Sequence, residues 1–284
     1  MGGFLAFLLS RATGLSAFAI LEAGYLFLSL TGLALVYAFA RRDLAGNPDR
    51  GRYQLIFLAS LPIGLAGARL LPIVQDALAA GRLTYGLIAA GGLVFYTGAL
   101  AALGAMYAGS RIMRLSPWPL LDAVCLYLPL GHAFGRLGCF FGGCCFGAPT
   151  DSACGVRFPA GSPAFLQHKS QGLLPDGAVA SLPVHPSQLY ETAGNLVLFT
   201  LLLLLARKRP QPPGRLTALY LGGYAALRFT LEFWRGDAIR GVYFGLSASQ
   251  CIALATLAAV IAATMRGGKR PAASATAANF PQAR

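Results

Sequence analysis

Arginine and glutamate residues stand inside or at the edge of long apolar stretches of this 284-residue chain. They are Glu22, Arg69, Arg136, Glu191, Arg228, Glu232 and Arg235. Placing an ionisable side chain inside an apolar span costs at least about 2.5 kcal/mol, so its presence there indicates a function by default. Guanidinium groups grip phosphates through paired hydrogen bonds, which makes an anionic, phosphate-bearing ligand the expected chemistry.

One of these stretches carries Tyr224, Arg228, Glu232 and Arg235 at spacings of four, four and three residues. Such spacings place all four on one face of a helix. Glu232 can form a structural ion pair with either arginine, but two arginines against one glutamate leave a surplus positive charge. An ion pair and a phosphate site are therefore both open for Glu232 and Arg235. The deeper position of Arg228 favours a functional role for that residue.

A glycine-rich segment runs from Gly131 to Gly147 and has six glycines in seventeen residues. This composition argues against an ordinary helix interior, because glycine is a poor helix former. Glycine also lets the backbone pass close to a ligand or to another helix. With Arg136 among the glycines, the segment is expected to cradle an anionic headgroup.

Four of the six cysteines, together with His132, raise the question of a metal site in the same region; these cysteines are Cys139, Cys144, Cys145 and Cys154. Zinc sites usually combine two closely spaced ligand pairs, and the C-x4-C-C spacing here matches that pattern poorly. We therefore expect no metal. A disulfide among the four cysteines is the favoured alternative, because their loop is expected to face an oxidising compartment.

Two further segments carry isolated polar groups. His185-Pro-Ser-Gln-Leu-Tyr-Glu191 reads as a helix start after Pro186, with His185 at the membrane edge and Glu191 about one turn inside. His185 could simply tie the loop to the helix end. Tyr96 lies in a glycine-rich apolar stretch, where either close helix packing or a polar contact with a lipid would explain it.

The elements that carry these groups are predicted to be membrane helices. Hydrophobic residues make up 56% of the chain and charged residues 12%, against about 25% charged in soluble domains. We predict an all-α integral membrane protein with seven spans of roughly 20 residues. They are 16–40, 53–74, 85–108, 118–134, 188–206, 216–234 and 242–265.

Basic residues predict the orientation of these spans. Fourteen lie in the loops after spans one, three, five and seven, and seven lie on the opposite side. The positive-inside rule then puts the N-terminus outside and the C-terminus in the cytoplasm. This distribution explains the net charge of +13 by contact with a lipid bilayer, without nucleic acid. Residues 1–266 are predicted to form one membrane domain with an outer loop at 135–186, and residues 267–284 a disordered cytoplasmic tail.

Taken in order, these motifs resemble those of the bacterial prolipoprotein diacylglyceryl transferase family. The matching motifs are Gly67-Ala-Arg69, Gly91-Gly92 with Tyr96-Thr-Gly98, Gly135-Arg136-Leu-Gly138, His185 to Glu191, and Tyr224 to Arg228 with Glu232-Phe-Trp-Arg235-Gly-Asp237. Cys139 stands where common members have asparagine. The chain therefore resembles a divergent, cysteine-rich branch of the family.

The resemblance implies a reaction in the bacterial inner membrane. The family moves the diacylglyceryl group of phosphatidylglycerol to the lipobox cysteine thiol of a preprolipoprotein. A thioether forms and glycerol phosphate leaves, without a metal or redox cofactor. Two alternatives stay open. One is a paralogous lipid transferase with another acceptor, using a loop cysteine as a transient nucleophile. The other is a phospholipid-binding or transport protein without catalysis.

The resemblance also implies roles for individual residues. Arg136 and Arg228 correspond to the family's essential arginines and are expected to bind phosphate. Tyr96 stands where some members have a histidine, and His132 is a second candidate for deprotonating the thiol. The rest of the expected substrate-binding surface comprises Arg69, Gly138, Cys139, Gly147, His185, Gln188, Tyr190, Glu191, Tyr224, Glu232 and Arg235.

Overall fold

The computed structural model describes residues 17–81, 94–208, 210–235, 242–243 and 245–267, and in them the chain is mainly helical. The helices are α1 (Ala17–Asp43), α2 (Arg50–Ala80), α3 (Phe95–Ile112), α4 (Trp118–Phe141), α5 (Pro163–Ser170), α6 (Ser187–Lys208), α7 (Arg215–Leu231) and α8 (Ala248–Gly267). A 3-10 turn at Glu232–Trp234 follows α7. Two short antiparallel strands, β1 (Val242–Tyr243) and β2 (Leu246–Ser247), precede α8.

Five helices of the described part are long and apolar enough to cross a membrane. They cover Ala23–Asp43, Arg50–Val74, Trp118–Phe141, Ser187–Lys208 and Ala248–Met265. Large apolar side chains on their outer faces are exposed, as Phe27 and Leu201 show with 69% and 59% of their surface accessible. Exposed apolar faces on helices of this length belong in a bilayer. The predicted helical, multi-pass membrane fold is confirmed at this level.

The glycine-rich segment is helical over its first part, so the prediction against a helix there was wrong for residues 131–141. Helix α4 continues through Gly131, Gly135 and Gly138 to Phe141. A Cβ atom built on Gly131 would lie 2.9 Å from the carbonyl oxygen of Gly32, and one on Gly138 would lie 3.0 Å from that of Tyr25. These glycines therefore let α1 approach α4 closely, as small residues do between membrane helices.

Two other predicted boundaries were also wrong. The long connection after α4 begins after Phe141 rather than at residue 135, and the last helix begins at Ala248 rather than at residue 242. Ser247 and Gln250 set that start by a reciprocal cap. The backbone N–H of Ser247 donates to Gln250 Oε1 at 3.0 Å, and that of Gln250 donates to Ser247 Oγ at 3.2 Å. For the third predicted span, residues 85–93 lie outside the described part, and the helix begins at Phe95.

The chain folds as two compact units. The first takes in the described residues of 17–38, 126–208 and 218–267, and the second those of 39–125 and 210–217. In the second unit, α2 and α3 meet through small residues. A Cβ atom on Gly98 would lie 2.9 Å from the carbonyl oxygen of Gly64, so these helices also depend on a close backbone approach.

Asp122 is a buried acid of the second unit that binds the chain at the start of α7. Its carboxylate is 4% exposed and accepts hydrogen bonds from the backbone N–H of Gly214 at 2.7 Å and of Thr217 at 2.8 Å. The Thr217 hydroxyl donates a third at 2.7 Å. These bonds cap the start of α7, whose first N–H groups have no partner within the helix. The role of this buried acid was not predicted from the sequence, and it is structural.

The loop between α4 and α6 has its own small core. Phe158, Ala164 and Val184 are buried together, and residues 149, 156 and 159 form bridges with 184 and 180. Helix α5 is capped by Ser162, and His168 Nδ1 accepts a hydrogen bond from the backbone N–H of Leu182 at 3.2 Å. Burial lowers the pKa of His168, which suits a neutral imidazole that accepts this bond. This connection is therefore folded rather than irregular. We call residues 142–186 the loop cover.

Candidate functional site

Glu191 is the centre of the buried charged cluster in the first unit. It is 1% exposed, and Oε2 lies 3.1 Å from Nε of Arg136. Its other oxygen, Oε1, accepts a hydrogen bond from the Tyr224 hydroxyl at 3.0 Å and lies 3.4 Å from Nε2 of His132. One carboxylate from α6 thus joins α4 and α7, and it offsets the burial of an arginine by direct contact.

The local sequence explains this arrangement on α4. His132 and Arg136 are four residues apart, so their side chains lie on the same face, and Arg136 Nε donates to His132 Nε2 at 3.2 Å. The His132 ring also packs against the ring of Tyr224, with centroids 5.0 Å apart. The imidazole thus lies among Arg136, Glu191 and Tyr224, and in this arrangement it accepts its hydrogen bond from Arg136.

A second ion pair lies at the end of α7. Arg228 Nη1 is 2.6 Å from Glu232 Oε2, and Arg228 Nη2 donates to the Ser249 hydroxyl at 3.0 Å. Arg228 is 3% exposed. Glu232 thus pairs with Arg228, one of the two arginines predicted as its partners. Ser249 was not predicted as a site residue, because no sequence spacing connects α8 to α7.

Among the described residues, positive charge exceeds negative charge in this cluster. These residues supply three guanidinium groups (Arg136, Arg228 and Arg235) against the two carboxylates of Glu191 and Glu232, and both Arg228 and Arg235 interact electrostatically with Glu191. Arg235 is 4% exposed, and the Arg136 side chain is 11% exposed. Charges buried this deeply act strongly on one another because water screens them little. An arrangement with surplus guanidinium charge can stabilise an anion.

The loop cover is tied to the end of α7 by backbone hydrogen bonds. The N–H of Gly147 donates to the carbonyl of His185 at 2.9 Å, and that of Ala148 donates to the carbonyl of Trp234 at 2.9 Å. A Cβ atom on Gly147 would lie 2.6 Å from the Trp234 oxygen, so only glycine fits at this point. The predicted residues Gly147 and His185 therefore lie next to the turn that carries Glu232.

The first turn of α6 fixes the segment that follows α4. Gln188 Nε2 donates to the carbonyl of Cys144 at 2.7 Å, and the Ser187 hydroxyl donates to that of Cys145 at 2.9 Å. Both Ser187 and Gln188 are buried. The helix that carries Glu191 is thereby joined to the chain that leaves the Arg136 helix. Gly138 and Cys139 are two further predicted site residues. Both lie near the end of α4 and are buried.

Tyr190 connects two further groups, His185 and Cys154. Its hydroxyl lies 3.3 Å from Nδ1 of His185 and 3.1 Å from Sγ of Cys154. Cys154 is exposed, and hydrogen bonding with Ser152 first and Tyr190 second lowers the pKa of its thiol below the ordinary value. His185 thus contacts a helix residue, as the simpler interpretation of this histidine predicted.

Two predicted residues belong to the second unit. Tyr96 is 5% exposed on α3, and Arg69 is partly exposed on α2. The side chain of Glu22 lies outside the described part of the structure. The disulfide predicted among the loop cysteines is absent, because all six cysteines are free. The sulfur atoms of Cys139, Cys144 and Cys145 lie within 4.8 Å of one another without forming a disulfide.

Comparison with known proteins gives consistent matches. The family model described as "Prolipoprotein diacylglyceryl transferase" matches residues 16–266. Three relatives share the name phosphatidylglycerol–prolipoprotein diacylglyceryl transferase. The protein of Bordetella parapertussis is 34% identical over 72% of this chain and 75% of its own length. That of Nitrosomonas europaea is 36% identical over 61% and 56%, and that of Cupriavidus metallidurans 34% identical over 51% and 47%. The chain thus spans from about half to three quarters of the relatives it matches.

Proposed function

Because this chain belongs to the prolipoprotein diacylglyceryl transferase family, we propose that it transfers the diacylglyceryl group of phosphatidylglycerol to the lipobox cysteine of a preprolipoprotein. The reaction takes place in the inner membrane of a bacterium. The observation that carries the proposal is the buried cluster of Arg136, Arg228 and Arg235 with its surplus positive charge. A phospholipid headgroup is the anion that a membrane brings to such a site.

The chemistry needs the surplus charge most in the transition state. The acceptor thiolate attacks a glycerol carbon of the lipid, a carbon–sulfur bond forms, and the bond from that carbon to the phosphate oxygen breaks. The leaving glycerol phosphate gains a negative charge as it departs. Arg136 and Arg228 stabilise this developing charge, and each such contact is worth about 10²–10³ in rate.

The acidic partners act by positioning the arginines. Glu191 holds Arg136 through Nε, and Glu232 holds Arg228 through Nη1. His132 is the proposed acceptor of the thiol proton. For this its Nε2 must give up the hydrogen bond from Arg136, which stays anchored by Glu191 at 3.1 Å. Tyr96 is the weaker candidate for that role, since a tyrosine has a reference pKa of about 10. For Tyr96 and Arg69 we retain the proposed contact with substrate.

The function is tested by mixing the purified protein in detergent with phosphatidylglycerol and a lipobox peptide. We expect the peptide to gain the mass of a diacylglyceryl group on its cysteine, and to gain none when phosphatidylethanolamine replaces the lipid. Arg136→Ala and Arg228→Ala should each lower the rate, while Arg157→Ala in the exposed loop should not. Bound phosphatidylglycerol without product would indicate a lipid-binding protein. Transfer to another acceptor alone would indicate a paralogous transferase.

We further propose that seven helices cross the membrane, with the N-terminus outside, the C-terminus in the cytoplasm and the loop between α4 and α6 in the periplasm. Of these seven helices, α3 and α7 are shorter than the other five. The excess of basic residues on one side supports this orientation. The proposed cytoplasmic tail, 267–284, lies outside the described part. Residues 1–266 are proposed to form one membrane domain.

Reporter fusions test the orientation. A reporter that fluoresces only in the cytoplasm should be dark at the N-terminus and bright at the C-terminus. A phosphatase that is active only in the periplasm should be active when inserted near Gly172, an exposed turn in the loop cover. Fluorescence at the N-terminus would reverse the proposed topology. Fusions should be compared at equal protein level, measured by blotting.

A further inference from the structure

Three cysteine sulfur atoms meet at one point beside the charged cluster. Cys139 lies in the last turn of α4, and Cys144 and Cys145 follow the end of that helix. Their Sγ atoms all lie within 4.8 Å of one another, and the three thiols are free. Cys139 is an expected substrate contact, but the proposed transferase reaction gives none of the three thiols a chemical step, because the reacting thiol belongs to the acceptor protein.

The turn after α4 is built to bring these sulfur atoms together. Gly143 and Cys145 both have left-handed backbone conformations, with φ of +66° and +57°. Such a conformation costs about 1–2 kcal/mol at a residue other than glycine. The backbone N–H of Cys144 donates to the carbonyl of Cys139 at 3.2 Å, so the chain folds back over the helix end. The spacing in sequence is a poor zinc pattern, but this turn removes the objection that the spacing raised.

The first turn of α6 fixes the same segment by hydrogen bonds. The carbonyls of Cys144 and Cys145 accept the hydrogen bonds from Gln188 and Ser187 at the start of α6. The backbone of this turn is therefore fixed at Cys144 and Cys145, and the thiol side chains can still rotate. Cys139 is 9% exposed, whereas Cys144 and Cys145 are partly exposed, so an ion can reach the cluster from the loop side.

We propose that Cys139, Cys144 and Cys145 form a three-thiolate binding site for a soft divalent metal ion of the zinc and cadmium class. A zinc–sulfur distance of about 2.3 Å requires sulfur atoms roughly 4 Å apart, which small side-chain rotations reach from the present spacing. The three thiols lose their protons on binding, and the complex carries one negative charge. The guanidinium groups of Arg136 and Arg235 already act electrostatically on Cys145, and they offset that charge. A fourth coordination position stays open to water.

Cadmium is the probe for this site, because thiolate-to-cadmium charge transfer absorbs in the ultraviolet. The full chain in detergent is reduced with a phosphine, freed of metal with a chelator and titrated with Cd²⁺ without oxygen. We expect one ion per chain, release of protons on binding, and loss of the absorption band when Zn²⁺ competes. The triple variant C139S/C144S/C145S should lose the band. The matched control Cys154→Ser, which removes an exposed thiol of the same loop, should keep it.

Alkylation mapping makes the test independent of how well the triple variant folds. In the reduced wild-type protein, Zn²⁺ should protect Cys139, Cys144 and Cys145 from alkylation and leave Cys154 reactive. Absence of a band in the wild-type protein, or its persistence in the triple variant, would overturn the proposal. So would a disulfide among the three cysteines in protein isolated without reductant. The proposal does not rest on the transferase function, and no readout here requires activity.

Discussion

Replacing Arg136 by lysine is expected to lower kcat/KM for thioether formation by about 10²-fold or more, although the positive charge is kept. Arg136 reaches Glu191 and His132 through Nε. In the proposed function, the rest of its planar guanidinium group binds the phosphate. Lysine offers one flexible ammonium group and cannot make both contacts in a fixed geometry. The rate is measured with the lipobox peptide in phosphatidylglycerol micelles, with Arg157→Lys as the control for an arginine outside the cluster.

A double-mutant cycle extends this prediction to Glu191. Glu191→Gln keeps the shape of the side chain but removes the charge that holds Arg136, so it should also lower the rate. Because the two residues act as one unit, the double variant should be about as slow as the slower single variant. Independent, multiplying losses would show that Glu191 does not position Arg136. Thermal unfolding must be followed in parallel, since breaking a buried ion pair costs about 3–5 kcal/mol.

The parts of this site that local spacing controls could be predicted from the sequence. His132 with Arg136, and Arg228 with Glu232, are four residues apart, and both pairs meet in the structure. Helix geometry alone brings such pairs together. The central place of Glu191 could not be predicted, because its contacts join three helices that are distant in sequence. Periodicity tells which face of a helix is polar but not which helix packs against it.

Chemically ambiguous residues account for most of the errors. The glycines from Gly131 to Gly138 fit a broken helix and a closely packed helix equally well. Helix propensities measured in water favour the broken helix. In a membrane helix, small residues at a contact favour the closely packed helix. Asp122 was missed because the backbone groups that it caps, those of Gly214 and Thr217, lie 92 and 95 residues away in the sequence. The cysteine spacing did not show that the three sulfur atoms lie close together, because the left-handed turn that brings them together cannot be read from the sequence.

The helix contact that these glycines permit carries the second large prediction. A Cβ atom on Gly131 would lie 2.6 Å from Cγ2 of Val36 and 2.9 Å from the carbonyl oxygen of Gly32. The carbonyl belongs to the backbone of α1 and cannot turn aside, so Gly131→Ala must push α1 and α4 apart. Overpacking of this kind costs about 1–3 kcal/mol. We therefore expect a clearly lower midpoint of thermal unfolding in detergent.

Gly135 provides the matched control one turn further along the same helix. A Cβ atom there meets nothing within 4 Å, so Gly135→Ala should leave stability unchanged or raise it by up to about 1 kcal/mol through better helix propensity. Glycine at 131 also places His132 and Arg136, so Gly131→Ala should lower transferase activity even at temperatures where the protein stays folded. Equal unfolding midpoints for the two variants would mean that α1 and α4 do not depend on this contact. A loss of activity without loss of stability would instead locate the effect in the position of Arg136.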